Sequence, residues 1–300
     1  MSEHDLRRVP VRLVDVGGGN ELGYRVVGRG PDVVLVHGWP LHGLTWRGVV
    51  AHLADRFRCH VFDLVGTGAS EWSSSTRFRI DTHAADLRRA IDAVGIGPFA
   101  LVGHDSGGTI ARYVAAELGS RVWSSVIADS ELPDHRPLLL QLLLAATKLP
   151  GGIRGLGMVL RSPTLRRTSL GWGACFHDVE RAEGEFHALF GESLVKDPRA
   201  IAGQMGLARD FDWALVDRLR ELHPRITGPT LLIWGEGDPY FPVAKARAMA
   251  SQFRAGAELV VYPDARLFPH EEHPERFARD TARFLAMHAP RERGHEAPTA

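Results

Sequence analysis

An aspartate lies at the centre of a glycine-rich turn, Gly-His-Asp-Ser-Gly-Gly, at positions 103–108. The turn follows the apolar run 99–102 and precedes an amphipathic helical pattern over 109–118, which predicts a sharp strand-to-helix junction around Asp105. Glycine suits both ends of such a junction, since a Cβ there would collide with the strand or the helix. The N–H of Ser106 then lies at a helix N-terminus and points at any anion that forms.

A carboxylate held in this turn can attack an sp³ carbon that carries a halide or belongs to an epoxide. The product of the attack is an alkyl ester between substrate and protein. The simpler alternative is that Asp105 only caps the helix after a nucleotide-binding type of turn. Other parts of the sequence are needed to decide whether Asp105 is a nucleophile or only a helix-capping residue.

Eight short apolar runs predict strands, and amphipathic helical patterns alternate with many of them. This order favours a mostly parallel, eight-stranded sheet flanked by helices, the doubly wound α/β class. The first two runs are joined by Gly17-Gly18-Gly19-Asn20, which predicts an antiparallel hairpin at one edge. The predicted strands are Val11–Val16, Leu22–Val27, Val33–His37, Cys59–Leu64, Phe99–Val102, Val122–Ala128, Thr230–Trp234 and Glu258–Tyr262.

The alternation stops after Ala128, and residues 132–225 contain helix-like stretches without a good strand. We interpret them as a helical cap inserted into a core formed by residues 1–131 and 226–300. The clearest helical patterns of the predicted cap are Leu138–Leu149, Asp178–Phe190 and Trp213–Leu222.

The predicted cap is rich in leucine and aromatic side chains that can roof a pocket. We expect Trp172 and Trp213 to line that pocket. The glycine-rich segment 151–157 has neither a preceding strand nor a Walker lysine, so it does not predict a phosphate loop. It predicts a hinge or a mobile loop instead.

The composition narrows the classes of function. The formal net charge is zero and the pI is near 7.3, which gives no sign of a nucleic-acid or anionic-membrane partner. Cys59 and Cys175 show no metal-binding spacing, and the start of the chain has no apolar signal region. We therefore expect a cytoplasmic protein without metal or cofactor. A homodimer is compatible with these observations. Only three of the 36 Lys and Arg residues are lysines, typical of a high-GC genome such as an actinobacterium's.

Four motifs at the ends of predicted strands resemble those of the α/β-hydrolase fold, in the branch of epoxide hydrolases and haloalkane dehalogenases whose nucleophile is Asp. They are HGWP at 37–40, DLVGTGAS at 63–70, GHDSGG at 103–108 and WGEGD at 234–238. The resemblance covers about residues 11–288. It implies that Asp105 is the nucleophile, that the N–H groups of Trp39 and Ser106 form the oxyanion hole, and that Asp238 is the acid that orients a base.

Other polar residues near these motifs have structural interpretations. We expect His37 to make a loop hydrogen bond beneath the site, and His104 to support the nucleophile rather than to transfer protons. Asp129 and Glu131, after the sixth strand, occupy the other place where this fold can put the acid. Without a histidine partner, we interpret them as residues of the cap hinge.

The position of the catalytic histidine is the main departure from the family. The family's pattern after the last strand resembles Gly-His-Phe-Pro-His-Glu-Glu-His-Pro-Glu, whereas residues 266–275 read Arg-Leu-Phe-Pro-His-Glu-Glu-His-Pro-Glu. Leu267 therefore occupies the place of the histidine, and leucine cannot take a proton. His270, three residues further on, is the alternative base, and it needs a remodelled loop to reach the pocket.

The residues that would handle the leaving group also depart from the family. Haloalkane dehalogenases carry Trp after the nucleophile and fluoroacetate-type dehalogenases carry Arg, whereas this chain has Ser106. Epoxide hydrolases use a pair of cap tyrosines as the acid, but all four tyrosines lie outside the predicted cap. His177 and His187 of the cap are the remaining candidates for that acid.

These observations leave four hypotheses for the function. The favoured one is an enzyme that acts through Asp105 on an apolar small molecule, such as a polycyclic secondary metabolite, by epoxide opening, cyclisation, elimination or C–C bond formation. The others are an epoxide hydrolase that uses His270, an engineered His-to-Leu variant that traps the ester, and a ligand-binding pseudoenzyme. Without a base, ester hydrolysis loses roughly 10²–10⁴-fold in rate. Burial beside Leu267 would instead raise the pKa of Asp105 and suit it to acid–base catalysis.

Overall fold

The computed structural model describes residues 4–149 and 151–290, and its centre is one eight-stranded sheet. The strands are β1 (Arg12–Gly17), β2 (Asn20–Val27), β3 (Asp32–Val36), β4 (Arg58–Asp63), β5 (Phe99–His104), β6 (Val122–Ala128), β7 (Thr230–Gly235) and β8 (Ala257–Tyr262). Their order across the sheet is β1-β2-β4-β3-β5-β6-β7-β8. β2 is antiparallel to both β1 and β4, and the other neighbours are parallel. The predicted sheet and its edge hairpin are confirmed.

Helices connect most of the strands. In chain order they are α1 (Arg47–Leu53), α2 (Ile80–Val94), α3 (Ser106–Leu118), α4 (Leu138–Lys148), α5 (Gly152–Arg161), α6 (Pro163–Arg166), α7 (Gly184–Phe186), α8 (Ser193–Lys196), α9 (Pro198–Arg209), α10 (Trp213–Asp217), α11 (Leu219–Leu222), α12 (Val243–Met249), α13 (Pro269–Glu272) and α14 (Pro274–His288). Short 3₁₀ turns cover Leu6–Arg8, Gly43–Trp46, Gly119–Arg121, Trp172–Ala174, Val179–Ala182, His223–Arg225 and Ala250–Gln252, and one π turn covers His187–Gly191.

The sheet is buried on both faces, which explains why its central strands are apolar without interruption. Successive side chains of a strand point to opposite faces, and β5 shows this directly. Phe99 and Leu101 belong to the apolar cluster shared with α2, α3 and α12, whereas Ala100 and Val102 belong to the cluster shared with α1 and α14. The helices on both faces therefore hold the carboxyl end of β5 firmly in the centre of the molecule.

Between β6 and β7 the described chain forms helices α4–α11 and turns, without a strand. The prediction of a hinge or mobile loop at 151–157 is wrong, because α5 begins at Gly152. Leu156 and Leu160, one helical turn apart, both line a cavity next to the sheet. Gly155 has open space where a Cβ would be. The packing of buried Leu160 and half-buried Leu156, rather than glycine content, thus determines the local structure.

Two of the other predicted cap helices are interrupted. The stretch 178–190 divides into a 3₁₀ turn, α7 and the π turn, and the stretch 213–222 divides into α10 and α11. These helices are short, so packing must supply most of their stability. Within residues 4–149 and 151–290, none of the helices has both the length and the hydropathy to cross a membrane.

Candidate active site

Asp105 lies at the junction of β5 and α3 with a φ of 51° and a ψ of −132°. Such a conformation costs a non-glycine residue about 1–3 kcal/mol and persists only where the surroundings enforce it. A Cβ at Gly107 would lie 2.2 Å from the carbonyl oxygen of His37, and a Cβ at Gly103 would lie 2.7 Å from that of Gly107. Glycine at both positions therefore allows the close approach of backbones that holds Asp105 in this conformation.

The carboxyl group of Asp105 accepts hydrogen bonds from two backbone N–H groups. The nitrogen of Trp39 lies 2.8 Å from Oδ2, and Ser106 contributes the second N–H. Burial and then the nearby Glu131 carboxylate raise the pKa of Asp105 well above its usual range, although the two amides oppose the shift. The arrangement therefore favours the protonated carboxyl. The amides predicted to form an oxyanion hole contact Asp105 itself, and their catalytic role stays a prediction.

A buried network behind the turn was not anticipated from the sequence. Ser130 Oγ donates to the carbonyl oxygen of Asp105 at 2.7 Å. Arg112, which is fully buried, donates to Ser130 Oγ at 2.7 Å and to the carbonyl oxygen of Glu131 at 2.8 Å. The Glu131 carboxylate accepts from Thr109 Oγ1 at 2.7 Å. Glu131 thus lies inside the support of the turn rather than at an open cap hinge.

Leu267 and Asp105 line the same cavity. Its backbone carbonyl accepts a hydrogen bond from His104 Nε2 at 2.7 Å, so His104 fixes the loop from below. Burial lowers the pKa of His104 to about 3, which keeps the ring neutral. No histidine among the described residues lines the cavity. The position that the family resemblance assigns to a base is therefore filled by a side chain that cannot take a proton.

His270 is not placed to replace the missing base. Its Nε2 donates to Thr45 Oγ1 at 2.8 Å, because that hydroxyl in turn donates to Glu271. Its ring lies 4.3 Å from the His104 ring and 4.7 Å from the Trp46 ring, measured between centroids. Burial lowers the pKa of His270 well below its ordinary value. His270 is a core histidine, so the alternative of a relocated base does not fit the geometry.

His37 joins two of the loops that carry the motifs. Its Nδ1 donates to the carbonyl oxygen of Gly38 at 3.0 Å, and its Nε2 accepts from the N–H of Leu64 at 3.0 Å. Burial lowers the pKa of His37 to about 4. The ring therefore stays neutral and connects the loop after β3 to the turn after β4, the structural role that the sequence favoured.

Asp238 is paired with another carboxyl group rather than with an imidazole. Its Oδ1 accepts from the N–H groups of Tyr240 at 2.7 Å and Phe241 at 3.1 Å. Its buried Oδ2 has no N–H or O–H donor among the described groups, but the carboxyl of Asp129 lies within hydrogen-bonding reach. Burial raises the pKa of Asp238 to about 7, and burial and the charge of Asp238 raise that of Asp129. The raised pKa values of both groups favour a single proton shared between the two acids.

The cavity next to Asp105 has a volume of about 350 Å³ and is mainly apolar. Trp172, one of the two expected pocket residues, lines it, whereas Trp213 does not. Trp213 packs instead against Phe211, at 4.8 Å between ring centroids, and beneath the Arg136 guanidinium. The cavity is lined by Trp39, Pro40, Asp105, Leu139, Leu140, Leu142, Leu143, Ala146, Leu156, Leu160, Ser169, Leu170, Gly171, Trp172, Cys175, Leu194, Tyr240, Phe241, Leu267 and Phe268.

Tyr240 is a polar residue of the cavity that sequence reasoning missed. Its hydroxyl interacts with the thiol of Cys175, and burial followed by that thiol raises the pKa of Tyr240 above its usual range. The hydroxyl is thus a neutral donor in the same cavity as Asp105. Its position two residues after Asp238 was the one feature of the sequence that could have indicated that Tyr240 lies in the cavity. Neither of the cap histidines considered for this role, His177 and His187, lines the cavity.

Comparisons with known proteins agree with this architecture. The family described as alpha/beta hydrolase fold matches residues 31–274. Haloalkane dehalogenase 2 from Mycobacterium bovis is 28% identical over 260 residues, which cover 84% of this chain and 86% of that protein. Pimeloyl-[acyl-carrier protein] methyl ester esterase from Chromobacterium violaceum is 31% identical over 276 residues, which cover 88% of this chain and 97% of that protein.

Solved structures give the same result at the level of the fold. The epoxide hydrolase CorEH superposes with a TM-score of 0.77 at 21% identity, covering 93% of this chain and 99% of that one. An ancestral haloalkane dehalogenase superposes with a TM-score of 0.76 at 22% identity, covering 92% and 98%. Since the family match spans most of the sequence and the sheet has the expected strand order, the chain belongs to the alpha/beta hydrolase fold family.

Proposed function

We propose that the protein is an enzyme that isomerises an apolar small molecule, with Asp105 as the proton-transfer group. The observation that carries the proposal is the absence of a histidine from the lining of the cavity in the described chain, together with Leu267 in its place. The raised pKa of Asp105 agrees with this role, because a buried carboxyl that holds its proton more tightly than usual can act as an acid.

The reaction that we propose is the opening of an epoxide by a nucleophile of the same substrate. The Asp105 carboxyl donates its proton to the epoxide oxygen while a C–O bond breaks and the internal nucleophile bonds to that carbon. The nucleophile then loses a proton to the Asp105 carboxylate, which restores the starting state. Substrate and product are isomers, so the step needs neither water nor a cofactor.

The cavity supports this chemistry in two ways. Nine of its lining residues are leucines, and such a surface favours an apolar substrate over ordered water that could hydrolyse an ester. The Tyr240 hydroxyl offers a second neutral donor for an oxygen atom that gains charge. A hydrophobic secondary metabolite is the substrate class that we favour, because the volume suits a compact, ring-forming molecule.

An isotope experiment tests the proposal. Alkyl epoxy-alcohols that can form a five- or six-membered cyclic ether are incubated with the protein in H₂¹⁸O, and products are identified by mass spectrometry. We expect cyclic ethers without ¹⁸O from the wild type, and at least about a hundredfold slower formation with Asp105→Asn. Asp264→Asn, an exposed carboxylate far along the chain, serves as the control. A diol that carries ¹⁸O would contradict the proposal.

A second candidate is covalent capture, favoured by the two amides that hold Asp105 in the geometry of a nucleophile. Here the carboxylate would open the epoxide itself, and without a base the ester would persist. Intact-mass measurement of the same samples separates the two candidates. A stable adduct that is lost in Asp105→Asn supports capture, whereas an unmodified mass together with cyclic ether supports proton transfer.

A further inference from the structure

A segment of the chain around the cavity is basic and free of acidic residues. Residues 135–177 contain six Lys or Arg and no Asp or Glu, although the whole chain has 36 residues of each sign. Three of the six pair with carboxylates of other segments. Lys148, Arg154 and Arg161 are exposed, and none of them has a carboxylate partner within the described ranges. The segment therefore presents unbalanced positive charge to solvent.

The same segment exposes a concentration of large apolar side chains. Six of the nine large apolar residues that are exposed in the described structure lie within residues 138–170. Leu138 and Leu142 lie one turn apart on α4, and Leu149 directly follows the helix; the three side chains are 69%, 59% and 64% exposed. We term these three leucines the α4 leucine face. Leaving this face in water is unfavourable unless a partner covers it.

The α4 leucine face is continuous with the opening of the cavity. Leu142 and Leu170 are more than half exposed, and both also line the cavity beside Asp105. A molecule resting on the exposed leucines therefore has an uninterrupted apolar route to Asp105. Because the exposed leucines and the cavity lining overlap, a partner that covers the exposed leucines would also lie at the entrance through which the substrate reaches Asp105.

From these three observations we infer that the α4 leucine face, together with the cations Lys148, Arg154 and Arg161 of the same segment, docks on an anionic phospholipid surface. Exposed leucines that insert between lipids, with cations at the level of the headgroups, are the features by which amphipathic helices lie on anionic membranes. The apolar substrate would then reach the cavity from the lipid phase. This inference replaces the expectation of no membrane partner, and it does not depend on the chemistry proposed for Asp105.

Vesicle co-sedimentation of the full chain tests the inference. Vesicles of phosphatidylcholine with and without phosphatidylglycerol are compared at low salt and at about 1 M salt, where the Debye length is about 3 Å. We expect binding to the anionic vesicles alone, with loss at high salt. Leu138→Ser combined with Leu149→Ser should weaken it about tenfold or more, and neither residue lines the cavity. The matched control combines Leu13→Ser and Met287→Ser, which are 47% and 61% exposed elsewhere.

The outcomes are distinguishable from failure of the proposed reaction. Asp105→Asn should bind vesicles as the wild type does, whether or not it is active. Equal binding to neutral vesicles, an equal loss in the control pair, or no vesicle binding at all would overturn the inference. If gel filtration instead shows a dimer that the Leu138 and Leu149 substitutions dissociate, the face belongs to a second copy of the chain. Circular dichroism of each variant verifies that it is folded.

Discussion

Among the individual residues of the site, Leu267 is the main departure from the centre that the family resemblance implies, and it leaves two nearby carboxyls without an imidazole. Leu267 lines the cavity, whereas Asp129 and Asp238 do not. With no imidazole to donate to it, Asp238 has a raised pKa and shares a proton with Asp129. Burying an ionised Asp238 whose Oδ2 receives no hydrogen bond is costly, and a neighbouring carboxyl that can donate to Oδ2 reduces that cost.

The first prediction concerns Leu267→His. An imidazole at this position would line the cavity with Asp105, and it could donate to Asp238 in place of the Asp129 carboxyl. We expect the variant to form diols from alkyl epoxides with ¹⁸O from water, roughly 10²–10⁴-fold faster than the wild type. Leu267→Gln, which adds a polar group of similar size but no base, should not gain this activity. Equal diol formation by both variants would contradict the role of the base.

The second prediction concerns the pH dependence of stability. The folded pKa of Asp238, about 7, lies above the ordinary value of 3.8. The neutral form is therefore stabilised by folding, and its contribution is complete below about pH 4 and lost as the pH rises through about 7. Asp238→Asn retains the acceptor oxygen for Tyr240 and Phe241 and supplies a permanent donor to Asp129.

Urea unfolding at several pH values checks this expectation. Asp238 should account for at most about 4 kcal/mol of the wild-type loss between pH 4 and pH 8, since one unit of pKa corresponds to 1.36 kcal/mol. Asp238→Asn should flatten that dependence and be the more stable protein at pH 8. The exposed Asp264→Asn should follow the wild-type curve. A parallel curve for Asp238→Asn would show that the pair does not share a proton.

Among the secondary-structure elements, the strands follow from the sequence pattern, whereas helix α5 does not. The eight strands were predictable because a buried parallel strand needs an unbroken apolar run, and β5 illustrates this requirement. Helix α5 was not predictable, because a local sequence with three glycines favours a loop when tertiary contacts are not considered. Leu156 and Leu160 override that preference through contacts with the cavity wall, which no local pattern contains.

The third prediction follows from the glycines of α5. Gly155 and Gly157 have no atom within 4 Å of an added Cβ, and both have ordinary helical φ values. Alanine at each should raise the free energy of unfolding by about 0.5–1 kcal/mol, because it lowers the entropy lost when the helix forms. Gly184→Ala also meets open space, but its φ of 55° should make that variant less stable. Thermal unfolding of the three variants tests both signs.

At the scale of the whole molecule, residues of α9 connect the helical insertion to the loop that carries Trp39. The indole N–H of Trp39 donates to the carbonyl oxygen of Gln204 at 3.0 Å. The side-chain amide of Gln204 donates to the carbonyl oxygens of Pro40 and Leu41, each at 3.1 Å. The geometry of the amide that binds Asp105 therefore depends on the position of α9.

The fourth prediction is that Gln204→Met destabilises the protein by about 2 kcal/mol, because the buried carbonyl oxygen of Leu41 and the partly buried one of Pro40 lose their donor. Methionine keeps the volume of the side chain, so a packing defect does not account for the loss. Gln141→Met, at an exposed position that also donates to a backbone carbonyl, should change stability by less than about 0.5 kcal/mol. Chemical denaturation measures both values.

The packing of the whole molecule decides which side chains reach the site. The motifs identified Asp105, Trp39 and Ser106 because each lies at a strand end or in a turn with a fixed geometry. Tyr240 was missed and Trp213 was assigned to the cavity incorrectly, since the arrangement of the helices around the cavity decides which side chains face it. Such long-range contacts produce no periodic pattern and no fixed residue spacing in the sequence.

The shared proton of Asp129 and Asp238 has a consequence for evolution. A chain that loses the imidazole from such a site would ordinarily be under pressure to discard the acid as well. Here the neighbouring strand end supplies a substitute partner, so Asp238 can persist through generations in which no histidine exists. A leucine codon can become a histidine codon by one base change. Under the proposed function, a single base change at position 267 separates two chemistries on this fold, and neither requires a change at position 238.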